Sequence, residues 1–206
     1  MLQIKQLPGL ISYGEGLRLQ DANVAAVLDG TGDEVLLLLE HEPVYTIGRL
    51  RDTSSLRDPA ALPYPVYETN RGGQATYHGP GQIVGYPILD LRLRGKDLHE
   101  HLRKLEEALI RACARWEVNA SRRAGLTGVW VEDRKLASIG VGVRKWISMH
   151  GFAINITADS VAPFSFITPC GLAQVKMTSL ESESKNSISL AEVTTAISEE
   201  LFRIFT

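Results

Sequence analysis

Cys113 and Cys170, Lys135, and a run of glycines around Arg71 and His78 are the groups in this 206-residue chain from which chemistry can be built. The two cysteines form no CxxC pair and no metal-ligand spacing. In a reducing compartment both are free thiols, so one can serve as a nucleophile. Cys170 lies in Thr168-Pro169-Cys170-Gly171-Leu172. Pro169 restricts the backbone before the thiol and Gly171 permits an unusual turn after it, which presents the sulfur on a tight loop. The same loop also suits a cysteine with no chemical role. Cys113 falls instead on the apolar stripe of a predicted helix, where a free cysteine behaves as a small hydrophobe.

Lys135 opens Lys135-Leu-Ala-Ser138-Ile139-Gly140-Val-Gly142. A lysine at the start of a strand is ordinarily solvated. It acquires chemistry only if the fold brings it to Cys170, where an ammonium favours the thiolate and a desolvated lysine can afterwards lose its own proton. The most unusual stretch is Arg71-Gly72-Gly73-Gln74-Ala75-Thr76-Tyr77-His78-Gly79-Pro80-Gly81-Gln82. Its glycines allow close backbone approach to a ligand or positive φ, and Arg71 and His78 add a fixed cation and a titratable donor or acceptor. It lacks both the GxxxxGK[ST] pattern and a GxGxxG opening a helix, which argues against a nucleotide-phosphate loop. A glycine-rich hairpin turn fits the same residues. His150-Gly151-Phe152-Ala153 places another glycine beside a polar residue inside a predicted strand, a sign of close approach by a ligand or by backbone.

Several elements must position these groups. A helix is predicted over residues 14–28 with Leu17, Asp21, Val24 and Leu28 on one face, and another over 98–116 whose apolar stripe includes Leu105, Cys113 and Trp116. The segment 35–39 is apolar on both faces and suits a central strand; 64–69, 82–91 and 147–156 also read as strands. Residues 129–131 and 135–143, joined by a turn at 132–134, read as a hairpin. A last helix starts near Ser189, with Ser189 and Glu192 spaced as a capping box. Of the large aromatics, Trp130, Trp146 and Phe164 are candidate exposed anchors, with core packing expected for at least two. Helices interleaved with hairpin-paired strands argue for an α+β or mixed α/β fold rather than a doubly wound sheet.

Composition narrows the function classes. A charge of −2 and a pI near 6.2, with no basic run, give nothing that attracts nucleic acid or an anionic membrane. The longest apolar run, residues 35–39, is too short to span a bilayer, and the first residues lack a signal-peptide pattern. The expectation is a cytosolic enzyme of one domain, residues 1–206, able to bury a core without disulfides.

Taken together and in order, the segments resemble the lipoyl/octanoyl transferase family of lipoate biosynthesis. The match runs from Glu40-His-Glu-Pro-Val-Tyr-Thr-Ile-Gly-Arg49 through the Arg71 to Gln82 block and Tyr86-Pro-Ile-Leu-Asp-Leu91. It continues with Gly128-Val-Trp-Val131, Lys135-Leu-Ala-Ser-Ile-Gly140, His150-Gly-Phe-Ala-Ile-Asn155 and Pro169-Cys-Gly171. The resemblance implies a biotin/lipoate protein ligase-like fold, a mixed and mainly antiparallel sheet flanked by helices. It implies Cys170 as acyl-thioester nucleophile and Lys135 as the lysine that lowers its pKa. It also implies substrate binding by Arg71, Gly72, Gly73, Gln74, Ala75, Thr76, Tyr77 and His78, by Ser138, Ile139 and Gly140, and by Gly151, Phe152 and Ala153. The implied donor is octanoyl-acyl carrier protein. The implied acceptors are lysines on lipoyl domains of 2-oxoacid dehydrogenases and on the glycine-cleavage H protein, with no cofactor and no metal.

The chemistry follows once Cys170 and Lys135 are neighbours. Exchange of one thioester for another is nearly thermoneutral and thioester-to-amide transfer runs downhill, so no ATP is needed. Backbone amides near Gly79 or Gly171 are candidate oxyanion donors, and glycines 72, 73, 140, 142 and 151 can leave room for an acyl slot. An ATP-dependent lipoate- or biotin-protein ligase and a non-catalytic lipoyl-domain binder are the alternatives. The first lacks its GRGRxGR-type adenylate loop here, and the intact Lys135 and Cys170 pair argues against the second.

Overall fold

A computed structural model describes residues 2–168 and 175–206. In chain order its elements are β1 (Gln3–Ile11), α1 (Tyr13–Asp29), β2 (Val35–His41), β3 (Val44–Ile47), β4 (Val66–Glu68) and β5 (Thr76–His78). There follow β6 (Gln82–Ile88), α2 (Leu98–Ala114), β7 (Ser121–Arg123), β8 (Leu126–Val131), β9 (Arg134–Arg144) and β10 (Ile147–Asn155). β11 (Lys176–Met177), α3 (Leu180–Glu183) and α4 (Leu190–Phe205) complete the described chain.

The large sheet runs β1-β2-β6-β10-β9-β8-β7, with β11 added beside β9; β1–β2 and β9–β11 pair in parallel and the other ladders are antiparallel. This is the mixed, mainly antiparallel sheet expected. β2 lies between β1 and β6, and its all-apolar sequence has a physical reason. Leu36 and Leu38 enter the core under α2 and α4, while Val35, Leu37 and Leu39 enter the core under α1. A second sheet, β4-β3-β5, stands against the large one and packs Tyr45, Ile47, Tyr77 and Phe164 behind it.

α2 forms as its pattern predicts: Asp97 caps it by accepting from Glu100 N–H at 2.9 Å, and Leu105, Leu109, Ala112 and Cys113 bury one stripe. Burial pushes the Cys113 thiol up to about 12, which leaves it an inert hydrophobe. α1 departs from its predicted face. The buried residues are Tyr13, Gly16, Gln20 and Val24, whereas Asp21 is exposed and pairs with Arg144. The helix is turned because Gly16 lets it lie against His41: a Cβ there would come within 2.7 Å of the imidazole Cε1. Ser189 does precede α4, but its side chain makes no capping bond, so the capping box is not formed. Trp130 and Phe164 are buried and Trp146 is exposed.

Candidate active site

The glycine-rich segment crosses over the large sheet and is stitched to it. Gly72 N–H donates to the Val141 carbonyl at 2.9 Å, and a Cβ on Gly140 would come within 2.7 Å of the Gly72 carbonyl oxygen. Arg71 is spent on the same task. Its guanidinium donates to the Thr46 hydroxyl at 2.7 Å, the Thr46 carbonyl at 2.9 Å and the Gly72 carbonyl at 3.0 Å, which ties the crossing segment to β3. Between this roof and the sheet lies a narrow slot.

The sheet side of the slot is made largely of main chain. Gly140 pairs directly with Gly151, and Gly85 on the next strand pairs with Phe152. A Cβ on Gly85 would collide with the edge of the Phe152 ring, at 2.2 Å from two of its carbons. Arg71, Gly72, Gly73, Gln74, Ala75, Thr76 and His78 line the slot from above; Ser138, Ile139, Gly140, Gly151, Phe152 and Ala153 line it from the sheet. Three segments far apart in sequence are thus brought to one place. Tyr77 is not among them. Alternation along β5 sends Thr76 and His78 to the slot and the Tyr77 ring to the opposite side, against Tyr45 and Phe164. Gly79 and Gly142 also lie outside the slot lining.

Sequence reasoning missed Tyr13, Val84 and Tyr86 as lining residues, and noted His150 only as a neighbour of Gly151. Val84 and Tyr86 read as ordinary core positions of a strand. Tyr13 is the first residue of a helix, a position without an apolar pattern.

The inner end of the slot is a buried aromatic and imidazole cluster. The Tyr13 and His78 rings stack at 6.0 Å, and His41 lies 5.8 Å from His78. His41 Nδ1 lies 2.8 Å from the Ile11 carbonyl, an acceptor only, so Nδ1 carries the proton and Nε2 accepts from the Tyr86 hydroxyl at 2.6 Å. Burial pushes His41 and His150 down to about 4, and His78 well below the usual imidazole range. For His78 the neighbouring His41 and Arg71 add to desolvation, and for His150 Arg71 does. At neutral pH the cluster is uncharged apart from Arg71. Thr76 Oγ1, His78 Nδ1, Ser138 Oγ and His150 Nδ1 are buried polar atoms with no hydrogen-bond partner among the described residues.

Lys135 sits at the start of β9, buried, with its ammonium 5.3 Å from the centre of the Trp130 ring. Gly128 makes room for it: a Cβ there would stand 2.7 Å from Lys135 Cε. Gly128 N–H in turn donates to the buried Glu106 carboxylate of α2 at 3.0 Å. Lys135 lines a second cavity, with Arg49, Leu98, Leu126 and Trp130, which shares Gly72, Gly73, Ile139 and Gly140 with the slot. β11 pairs Met177 with Lys135, and Thr168 N–H donates to the Ser55 carbonyl at 2.7 Å. Cys170 and Gly171 fall between Thr168 and Met177 and lie outside the described residues. Among the described residues no group of three or more His, Cys, Asp or Glu side chains could hold a metal ion, and no helix is long and apolar enough to cross a membrane.

Residues 12–202 match the profile of the lipoyl protein ligase A/B catalytic domain. The chain is 54% identical to an octanoyltransferase of Geobacter sulfurreducens over 187 residues, covering 91% of this chain and 78% of that protein. It is 53% identical to an octanoyltransferase of Citrifermentans bemidjiense, covering 90% and 88% of the two chains. Among solved structures it is similar to protein Ta0514 of T. acidophilum, described as a candidate lipoate protein ligase, with a TM-score of 0.70 at 16% identity over 98% of this chain and 84% of that one. A biotin protein ligase from Aquifex aeolicus is a more distant match, with a TM-score of 0.56 at 15% identity over 98% and 71%. These two likenesses show the fold.

Proposed function

Since this chain belongs to the lipoyl protein ligase A/B catalytic domain family and is an acyltransferase that moves octanoyl groups in protein lipoylation, we propose that it does so as a single catalytic domain through an acyl-enzyme on Cys170 assisted by Lys135. The donor in this reading is octanoyl-acyl carrier protein. The acceptor is a lysine amine on the lipoyl domain of a 2-oxoacid dehydrogenase or on a glycine-cleavage H protein. The observation that carries it is the meeting of residues 71–76 and 78, 138–140 and 151–153 on one apolar-walled slot, whose glycine wall is shared with the cavity that holds Lys135.

The steps balance without ATP. The Cys170 thiolate attacks the donor thioester carbonyl, forming the enzyme thioester and expelling the carrier thiolate. Lys135, an ammonium at this stage, passes its proton to that leaving sulfur and becomes a neutral amine. The acceptor lysine then attacks the enzyme thioester. Its nitrogen yields a proton to Lys135 as the amide forms, and the Cys170 thiolate and Lys135 ammonium are restored. An octanoyl tail in the slot contributes about 0.8 kcal/mol per buried CH₂, or about 5–6 kcal/mol before entropy is deducted.

The test is single-turnover acylation by octanoyl-acyl carrier protein, read by intact mass. The expected product carries one octanoyl group released by hydroxylamine, absent from Cys170→Ser and retained by Cys113→Ser, with no requirement for ATP or Mg²⁺. A Lys135→Ala variant with the wild-type rate of transfer to a lipoyl domain would remove the lysine from the mechanism. Acylation of Cys170→Ser would remove the cysteine.

A further inference from the structure

The two ends of the slot differ in exposure. Gly73 is exposed and Gly72, Gln74, Ser138, Ile139 and Gly140 are half-buried, which marks the mouth; Tyr13, His78, Val84, Tyr86 and His150 are buried, which marks the floor. One floor residue is held in an unusual way. His150 sits inside β10 at φ 55°, a left-handed conformation that a non-glycine residue adopts only when its surroundings impose it.

Four contacts hold the residue there. The His150 backbone N–H donates to Gln20 Oε1 of α1 at 2.7 Å, and ring Nε2 lies 2.5 Å from Asn70 Oδ1. Asn70 Nδ2 faces Met149 Sδ at 3.7 Å, so its oxygen is the end turned to the imidazole. Nε2 therefore carries the proton and Nδ1 is an acceptor with no hydrogen-bond partner among the described residues. On its outer side the ring rests on Gly142, where a Cβ would stand only 3.2 Å from His150 Cδ2, and its neighbour across the floor is the Tyr86 ring, edge-on at 6.3 Å. The imidazole can neither retreat nor rotate without losing the bond to Asn70.

We propose that His150 is a specificity-determining residue that sets the length of the acyl tail, closing the slot so that chains longer than octanoyl are rejected. The inference rests on the octanoyl-transfer reading of the slot and adds the residue that fixes its depth. A longer tail must break the Asn70 bond to displace the ring, or press methylenes against an unpaired ring nitrogen. Either cost falls on the longer chain alone. Val84 and Tyr86 share the floor, but they belong to β6, paired on both sides by β2 and β10. The Tyr86 hydroxyl is bonded to His41 and the His150 ring to Asn70; of the two partners only Asn70 adjoins the segment that roofs the slot.

The experiment compares kcat/KM for octanoyl- and decanoyl-acyl carrier protein in the wild type, His150→Gly and Asn70→Ala. Glycine accepts φ 55° without strain, so His150→Gly removes the ring and leaves the strand conformation favourable. The decanoyl-to-octanoyl ratio is expected to rise by about tenfold or more in His150→Gly, the scale on which a pocket discriminates one or two methylenes. Asn70→Ala, which unpins the ring and leaves the strand untouched, should shift the ratio in the same direction by a smaller factor. If His150→Gly does not fold, Asn70→Ala decides. An unchanged ratio in the folded variants, with octanoyl transfer intact in the wild type, overturns the inference and leaves the proposed function standing. Absence of octanoyl transfer in the wild type overturns both.

Discussion

Replacing Gly128 by alanine should disable transfer by moving Lys135, although the substituted residue touches neither slot nor substrate. Gly128 has φ 126°, a conformation that an L side chain rarely adopts. The added Cβ would stand 2.6 Å from the Ala137 carbonyl oxygen and 2.7 Å from Lys135 Cε. To regain an ordinary 3.4 Å contact, the lysine chain must retreat by about 0.7 Å or the strand must shift. Backbone strain of this kind costs about 1–3 kcal/mol, and crowding a packed site adds a similar amount. The larger effect is on rate, because a misplacement of about 1 Å at a reacting centre can cost about 10²-fold. Urea unfolding measures the first quantity, and single-turnover transfer to a lipoyl domain, read by mass, measures the second. A Gly128→Ala enzyme that transfers octanoyl at the wild-type rate would refute the claim that Gly128 exists to seat the lysine.

Three further outcomes follow from buried groups. Burial, with Arg94 and Lys104 alongside, pushes His101 down to about 4 from 6.5, so between those pH values the unfolded chain binds a proton that the folded chain does not. Its contribution to stability is complete above pH 6.5 and is lost as pH falls toward 4, by about 1.4 kcal/mol per pH unit; His101→Leu should flatten the acid limb of stability against pH by that slope in urea titrations. Glu106→Ala deprives Gly128 N–H of its acceptor and should cost about 1–3 kcal/mol of stability by chemical denaturation, together with slower transfer, because the strand carrying Gly128 loses its anchor to α2. Cys113, held at about 12, should resist iodoacetamide at pH 8 in the folded protein, and Cys113→Ser should lose about 1–3 kcal/mol of stability while keeping its transfer rate.

What the residues disclosed in advance was set by whether a single physical demand governed them. The run Val35 to Leu39 faces apolar cores on both sides, so its sequence could say only one thing, and the α2 stripe is equally unambiguous. β1 escaped notice because it is an edge strand with Pro8 and Gly9 inside it and a register shift between Gln6 and Leu10; pairing with β2, not its own pattern, makes it a strand. The face of α1 was misjudged because two of its buried residues carry no hydrophobic signal. Gly16 is inside so that His41 can approach, and Gln20 is inside because it holds the His150 amide. The glycine-rich segments announced a close approach but not what approaches. Nothing about Lys135 in the linear order says that it is buried beside Trp130, a fact that exists only once the β8–β9 hairpin has formed.

The Gly151 and Gly140 pair has an evolutionary corollary. A surface of bare peptide units offers no side-chain alphabet to edit: a methyl on Gly151 would lie 2.3 Å from the Gly85 oxygen, and one on Gly140 would meet the roof. A side chain at Gly140 collides with the roof and one at Gly151 with the neighbouring strand, so neither position can be varied to reshape the passage. Divergence in the molecules such a fold accepts is therefore channelled to its two extremities, while the stretch between them stays frozen by its own lack of substituents.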